Sequence, residues 1–102
     1  MPTDKHQVRL LSIAEEDFTE IISYIAADNP NAADSIADKI EKNLRLLSEN
    51  PKLGRIPRDD EIKDLGYRYL IVENYLIFYT IEEKIILIHR ILHGARNYKP
   101  LL

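Results

Sequence analysis

Two amphipathic segments joined by almost nothing constrain this chain more than any other feature of its sequence. Ala14, Phe18, Ile21, Ile22 and Ile25 recur at helical spacing, and so do Ala33, Ile36, Ala37, Ile40, Leu44 and Leu47. Between the two sets stands Asn29-Pro30. Asn is a favourable N-cap, and Pro suits a first helical position because its missing N–H has no intrahelical partner there. The pattern predicts helices over 13–28 and 30–49, the second stopped by Asn50-Pro51. Ser12-Ile13-Ala14-Glu15 reads as a capping box for the first helix, and Glu15, Glu16, Asp17 and Glu20 enrich its early turns, where the helix dipole favours anions. A joint this short forces an antiparallel hairpin, and neither apolar stripe can be buried by the hairpin alone.

The cover must come from the rest of the chain. His6–Leu11 alternates loosely and reads as a short strand. Residues 52–66, with two Gly and one Pro among charges, read as a loop. Tyr, Ile, Val and Phe then dominate 67–72, 75–81 and 84–92, separated by the two-residue junctions Glu73-Asn74 and Glu82-Glu83. Those spacings predict an antiparallel meander. The order β-α-α-β-β-β implies one α+β domain over 1–102: a helical hairpin packed on one face of a four-stranded, mainly antiparallel sheet. Its opposite face, or the concave edge, is expected to be left for function.

Composition narrows the chemistry. Apolar residues make up 45% and charged residues 30%, as in globular chains, and 102 residues suffice for only one core. With no cysteine there is no disulfide, thiolate metal site or cysteine nucleophile, which fits a reducing cytoplasm. No apolar run is long enough to span a membrane, and Met1–His6 lacks the apolar core of a signal peptide. Three glycines are too few for a phosphate-cradling loop, and no standard hydrolase, nucleotide-binding or metalloprotease motif occurs. His89 and His93 are four apart in a strand and its exit, a poor metal pair, so neither metal nor cofactor is expected.

Charge is uneven along the chain. Residues 1–50 carry 5 Lys/Arg against 10 Asp/Glu, whereas 51–102 carry 9 against 7. After Glu83 there is no acid, while Lys84, Arg90, Arg96 and Lys99 follow, so the 93–102 tail is basic. Arg68 and Arg90 stand inside apolar strands, where an unpartnered guanidinium is costly. By parity Arg68 shares a face with Leu70 and Val72, and Arg90 with Ile86, Ile88 and Leu92. Either these arginines pair with Asp64, Glu73 or the C-terminal carboxylate, or they present planar cations to a phosphate or acidic partner. His93 can shuttle a proton near neutral pH, and Tyr98 can stack on a base. Tyr67, Tyr69, Tyr75 and Tyr79 read as core and cross-strand packing.

Several stretches in this order resemble the bacterial RelE/ParE toxin superfamily: Tyr24-Ile25 through Asn29-Pro30 to Ala33, and Asn50-Pro51-Lys52-Leu53-Gly54. The strands Tyr67–Val72 and Tyr75–Tyr79 continue it, and Arg90-Ile91-Leu92-His93-Gly94-Ala95-Arg96-Asn97-Tyr98 closes it, so that it covers roughly residues 6–98. The resemblance implies the toxin of a type II toxin–antitoxin pair, with a cognate antitoxin as partner. RelE-like members are ribosome-dependent, metal-independent mRNA endoribonucleases. Their middle strand opens with Tyr-Arg, where this chain has Tyr75-Leu76; of their two lysines on the preceding strand, only the first has a basic counterpart here, Arg68, with Leu70 at the second place. The ending Arg-Ile-Leu-His-x-x-Arg looks like the ParE branch, which poisons DNA gyrase by binding. Target contacts are therefore expected at Arg68, Arg90, His93, Arg96 and Tyr98. Arg68, Arg90, His93 and Arg96 are also the catalytic candidates if the target is mRNA on the ribosome. A non-toxic α+β interaction module is the third possibility.

Overall fold

The computed structural model describes residues 5–102. The chain runs β1 (Gln7–Leu10), α1 (Ser12–Asp28), α2 (Pro30–Glu49), α3 (Asp60–Asp64), β2 (Arg68–Val72), β3 (Tyr75–Glu82) and β4 (Ile85–His93), then a single 3₁₀ turn over Lys99–Leu101. The four strands form one sheet in the order β1-β4-β3-β2. β1 lies parallel to β4, and the other two pairings are antiparallel. The signal-peptide reading of Met1–His6 falls mostly on residues 1–4, outside the described residues.

Asn29 ends one helix and begins the next. Its N–H donates to the Ile25 carbonyl, while its side chain accepts from Ala32 N at 3.1 Å. The hairpin then lays both stripes on one face of the sheet. Ala14, Ile40 and Leu47 are buried against Leu70, Val72, Ile77, Tyr79, Ile86, Ile88 and Ile91, with Phe18, Ile21, Ile36 and Leu44 packed around them.

Local details depart from expectation where tertiary contacts intervene. The capping box does not form: the N-cap of α1 is Leu11, and no side chain caps it. Leu11 still donates to Ile88 of β4, and its carbonyl receives both Ala14 N and Glu15 N. The strand therefore passes straight into the helix, leaving no free position for a capping Ser. The expected loop at 52–66 contains α3, capped by Asp59 accepting from Ile62 N at 3.2 Å. It also adds a short bridge in which Arg55 and Tyr69 exchange backbone hydrogen bonds at the β2 edge. The second tight junction is Glu83-Lys84, one residue later than expected, because Glu82 still pairs with Ile85. Each hairpin places its first loop residue, Glu73 (φ 53°) or Glu83 (φ 55°), in the left-handed region, at a cost of about 1 kcal/mol for a non-glycine residue.

The largest correction concerns facing. In β4 the alternation is broken by a bulge: Phe78 pairs with Arg90 and Tyr79 with Ile88, so His89 is the extra residue. Ile88 and Ile91 both face the helices, while Leu92 joins the opposite face. Arg90 and Leu92 therefore do not share a face with Ile86 and Ile88. That opposite face is not open either. Ile62 of α3 and the chain end (Tyr98, Leu101, Leu102) cover Tyr67, Phe78 and Leu92.

Candidate functional site

Arg68, Arg90, His93 and Arg96 are not all brought together. Arg68 enters β2 beside Tyr79, and its Nη1 donates to the Gly54 carbonyl at 3.0 Å, so neither Asp64 nor Glu73 is its partner. The Tyr79 hydroxyl completes this corner: it donates to the Pro51 carbonyl and accepts from Gly54 N, both at 2.8 Å. Burial raises the pKa of that phenol, opposed by the Gly54 N–H and the nearby Arg68 charge. Gly54 is required here by space, because a Cβ would come within 2.6 Å of the Tyr79 ring and hydroxyl. Arg68 thus staples the 51–54 turn to the sheet. By strand geometry it stands about 16 Å from His93, at the other end of β3.

Arg90 is also committed, to a residue 73 positions away. Its Nε and Nη2 reach the two carboxylate oxygens of Asp17 at 2.7 and 2.9 Å, a bidentate pair with only 11% and 8% of the side chains exposed. Asp17 Oδ2 additionally accepts from Ile91 N at 3.0 Å. The reason lies in the topology. β1 stops pairing at Ile88, leaving the outer edge of β4 unpaired beyond it, and Asp17 on the first turns of α1 supplies the missing acceptor. Asp17 hydrogen bonding and charge hold the Arg90 guanidinium more firmly protonated. Its Nη1 donates weakly to the Leu101 carbonyl at 3.4 Å. Placed this way, Arg90 fixes the end of β4 rather than meeting a partner.

His93 and Arg96 are different: both are exposed. His93 Nδ1 accepts from Ala95 N at 3.1 Å, and its ring meets Tyr75 edge-on at 5.5 Å. Among the described residues the Arg96 guanidinium makes no ion pair or side-chain hydrogen bond. The two residues border a groove of about 340 Å³, whose other wall is Asp17, Glu20, Ile21 and Tyr24 of α1, with Tyr75 and Ile91 at its floor. Tyr24 is 83% exposed, an unusual place for a large ring. The sequence carries a faint sign of it, since Tyr24 falls between Ile22 and Ile25 of the apolar stripe yet outside it.

Tyr98 is half-buried, its ring 4.8 Å from that of Phe78 on the second sheet face. The basic tail is partly neutralised, because Lys99 pairs with Asp59 at 3.0 Å and Glu61 at 3.4 Å. His89, considered above only as half of a metal pair, is held by Thr80 Oγ1 at 2.9 Å and the Tyr67 hydroxyl at 3.3 Å. Burial lowers its pKa, with the Glu82 charge opposing. What the arrangement offers chemically is an open rim with one guanidinium and one imidazole on one side, facing the Glu20 carboxylate and the Tyr24 ring on the other. Arg68 and Arg90, the other two catalytic candidates, are held elsewhere, Arg68 at the 51–54 turn and Arg90 on Asp17.

The sequence model for the ParE toxin of type II toxin–antitoxin systems, parDE, matches residues 8–98. Among solved structures, a chromosomal ParDE toxin–antitoxin system from P. aeruginosa is similar at TM-score 0.72 and 20% identity, covering 88% of this chain and 97% of that one. The RelBE2 toxin–antitoxin complex from Mycobacterium tuberculosis is similar at TM-score 0.61 and 20% identity, covering 87% and 98%. At that identity both likenesses concern the fold. No curated protein sequence matches the chain significantly.

Proposed function

Because the chain belongs to the ParE toxin family of type II toxin–antitoxin systems, we propose that it acts by binding and inhibiting DNA gyrase and is neutralised by a cognate antitoxin in the cytoplasm. The observation that carries this reading is the division of the cations. Arg90 is neutralised by Asp17 and Arg68 is tied to the Gly54 carbonyl, whereas His93 and Arg96 stand on an open rim beside the exposed ring of Tyr24. A rim with an exposed Arg and an exposed Tyr suits recognition of a protein surface, because these two residue types are enriched among the strongest interface contacts. Of the four candidates for RNA cleavage, Arg68 and Arg90 are held apart from His93 and Arg96, and the sheet face opposite the helices is occupied by the chain's own end.

Antitoxin capture is supported by the other edge of the sheet. β1 is an edge strand, and Gln7 and Leu11 donate toward β4, so Val8 and Leu10 turn their backbone groups outward. Beside them Val8, Leu10, Leu44, Arg45 and Ser48 line a groove of about 260 Å³. An extended segment can add to that edge, or a helix can lie in the groove.

The deciding experiment expresses the chain alone and measures supercoiling by purified gyrase beside cleavage of ribosome-bound message. Inhibited supercoiling with intact message is the expected result. Unimpaired supercoiling with site-specific cutting replaces this reading by an endoribonuclease, and no effect in either assay or on growth leaves a non-toxic interaction module.

A further inference from the structure

The second face of the sheet is closed by the chain's own last residues. Tyr98, Leu101 and Leu102 pack on Phe78 and Leu92, and this apolar contact is supplemented by polar ties. Lys99 Nζ reaches Asp59 Oδ2 at 3.0 Å and Glu61 Oε2 at 3.4 Å, both acids lying at the N-terminal end of α3. Lys99 keeps 47% of its side chain exposed and Glu61 79%, so solvent and salt reach these pairs. Before the segment, Gly94 N is fixed to the Asn74 carbonyl at 2.7 Å. Arg96 therefore sits on a short span held at both ends, by β4 on one side and by Lys99 on the other.

We propose that residues 97–102 form a strap latched to α3 by Lys99, and that Lys99 is in this way a positioning residue for Arg96 at the docking rim. The clause about Arg96 rests on the gyrase-binding reading, whereas the latch does not. Releasing the strap bares Phe78 and Leu92 and opens the cavity of about 380 Å³ in which Leu102 stands near His89, Tyr67 and Thr80. The two halves of the closure differ in their response to salt. Salt screens the ion pairs as the Debye length falls from about 30 Å at 0.01 M to about 3 Å at 1 M, but leaves the apolar contact in place. Exposed pairs of this kind shift an equilibrium modestly, so losing both raises the open population by about threefold to tenfold.

Amide hydrogen exchange on the full chain reads the latch through Leu101 N and Leu102 N, whose bonds to the Tyr98 and Lys99 carbonyls form a single 3₁₀ turn that loosens once it leaves the sheet. In Lys99→Met, exchange at these two amides rises by about threefold to tenfold at low salt and loses its dependence on NaCl. Lys99→Arg, which keeps the charge, stays within about twofold of the parent. Equal exchange in the parent and Lys99→Met, or an unchanged salt dependence, overturns the latch. For the positioning role, gyrase affinity is measured for Lys99→Met with Arg96 present and with Arg96→Ala. Loss only when Arg96 is present supports it, and equal loss in both backgrounds overturns it. A parent chain inert toward gyrase overturns the Arg96 clause together with the functional reading, while the exchange data still decide the latch.

Discussion

Removing the Asp17 carboxylate tests most directly how the end of β4 is held. In Asp17→Ala, the Arg90 guanidinium keeps one long hydrogen bond, to the Leu101 carbonyl, and the more distant charges of Glu20 and Glu16, while Ile91 N loses its acceptor at 3.0 Å. Stripping one partner from a buried, hydrogen-bonded ion pair costs about 3–5 kcal/mol, because the other charge is left unpaired away from water. With Arg90 still 11% exposed, some rehydration is available, so a loss of about 3 kcal/mol is expected. For a domain of this length, that lowers the melting temperature by about 12–20 °C. Urea unfolding followed by circular dichroism is a suitable assay, with a lower midpoint and an unchanged slope expected. The isosteric pair Asp17→Leu with Arg90→Met separates coupling from simple loss of packing. If the pair acts as described, the double variant is less destabilised than the sum of the singles by about 1.5 kcal/mol or more. Additive singles, or an Asp17→Ala variant within about 0.5 kcal/mol of the parent, would refute the reasoning.

Three further outcomes are expected. Gly54→Ala drives a methyl into the Tyr79 ring and hydroxyl and lies 2.9 Å from the Tyr69 carbonyl, so thermal melting should show a loss of about 2–3 kcal/mol. His89 has a pKa lowered by burial, so the unfolded chain binds its proton first as pH falls. That group's contribution is complete above about pH 6.5 and declines as pH drops from there toward the lowered value. His89→Gln should flatten the stability–pH curve in that window, and an unchanged curve would show that the imidazole is not held neutral. Arg96→Ala should weaken gyrase inhibition by about tenfold with no change in melting temperature, whereas His93→Ala should reduce it by about threefold or less. A loss of about a hundredfold or more in the folded His93→Ala protein would point to proton transfer instead of binding.

Periodicity made both helices readable, since each stripe repeats at helical spacing and Asn29-Pro30 signals its own capping geometry through nearest-neighbour chemistry. The meander was readable for the same reason, except at its second turn. There Glu83-Lys84 takes a left-handed first residue without Gly or Asn to announce it. α3 was legible only faintly: Asp59 is a good cap, but a five-residue helix offers too little periodicity to outweigh its charged surroundings.

The candidate site was harder to foresee because its sorting depends on contacts distant in sequence. His93 and Arg96 were expected at a surface and stand there. Arg90 has the same local signature, an arginine in an apolar strand, yet it is sequestered by an acid 73 residues earlier. The bulge at His89 and the folding back of Tyr98–Leu102 are likewise decided by what lies across the sheet.

By itself, then, the sequence determined which segments become helices and strands and that they form an α+β layer, because backbone hydrogen bonding and apolar periodicity are local properties. Only the tertiary structure decided which cations face outward. Whether a charge is free or neutralised depends on the groups that the packed chain brings within hydrogen-bonding distance, and strand spacing alone does not encode them.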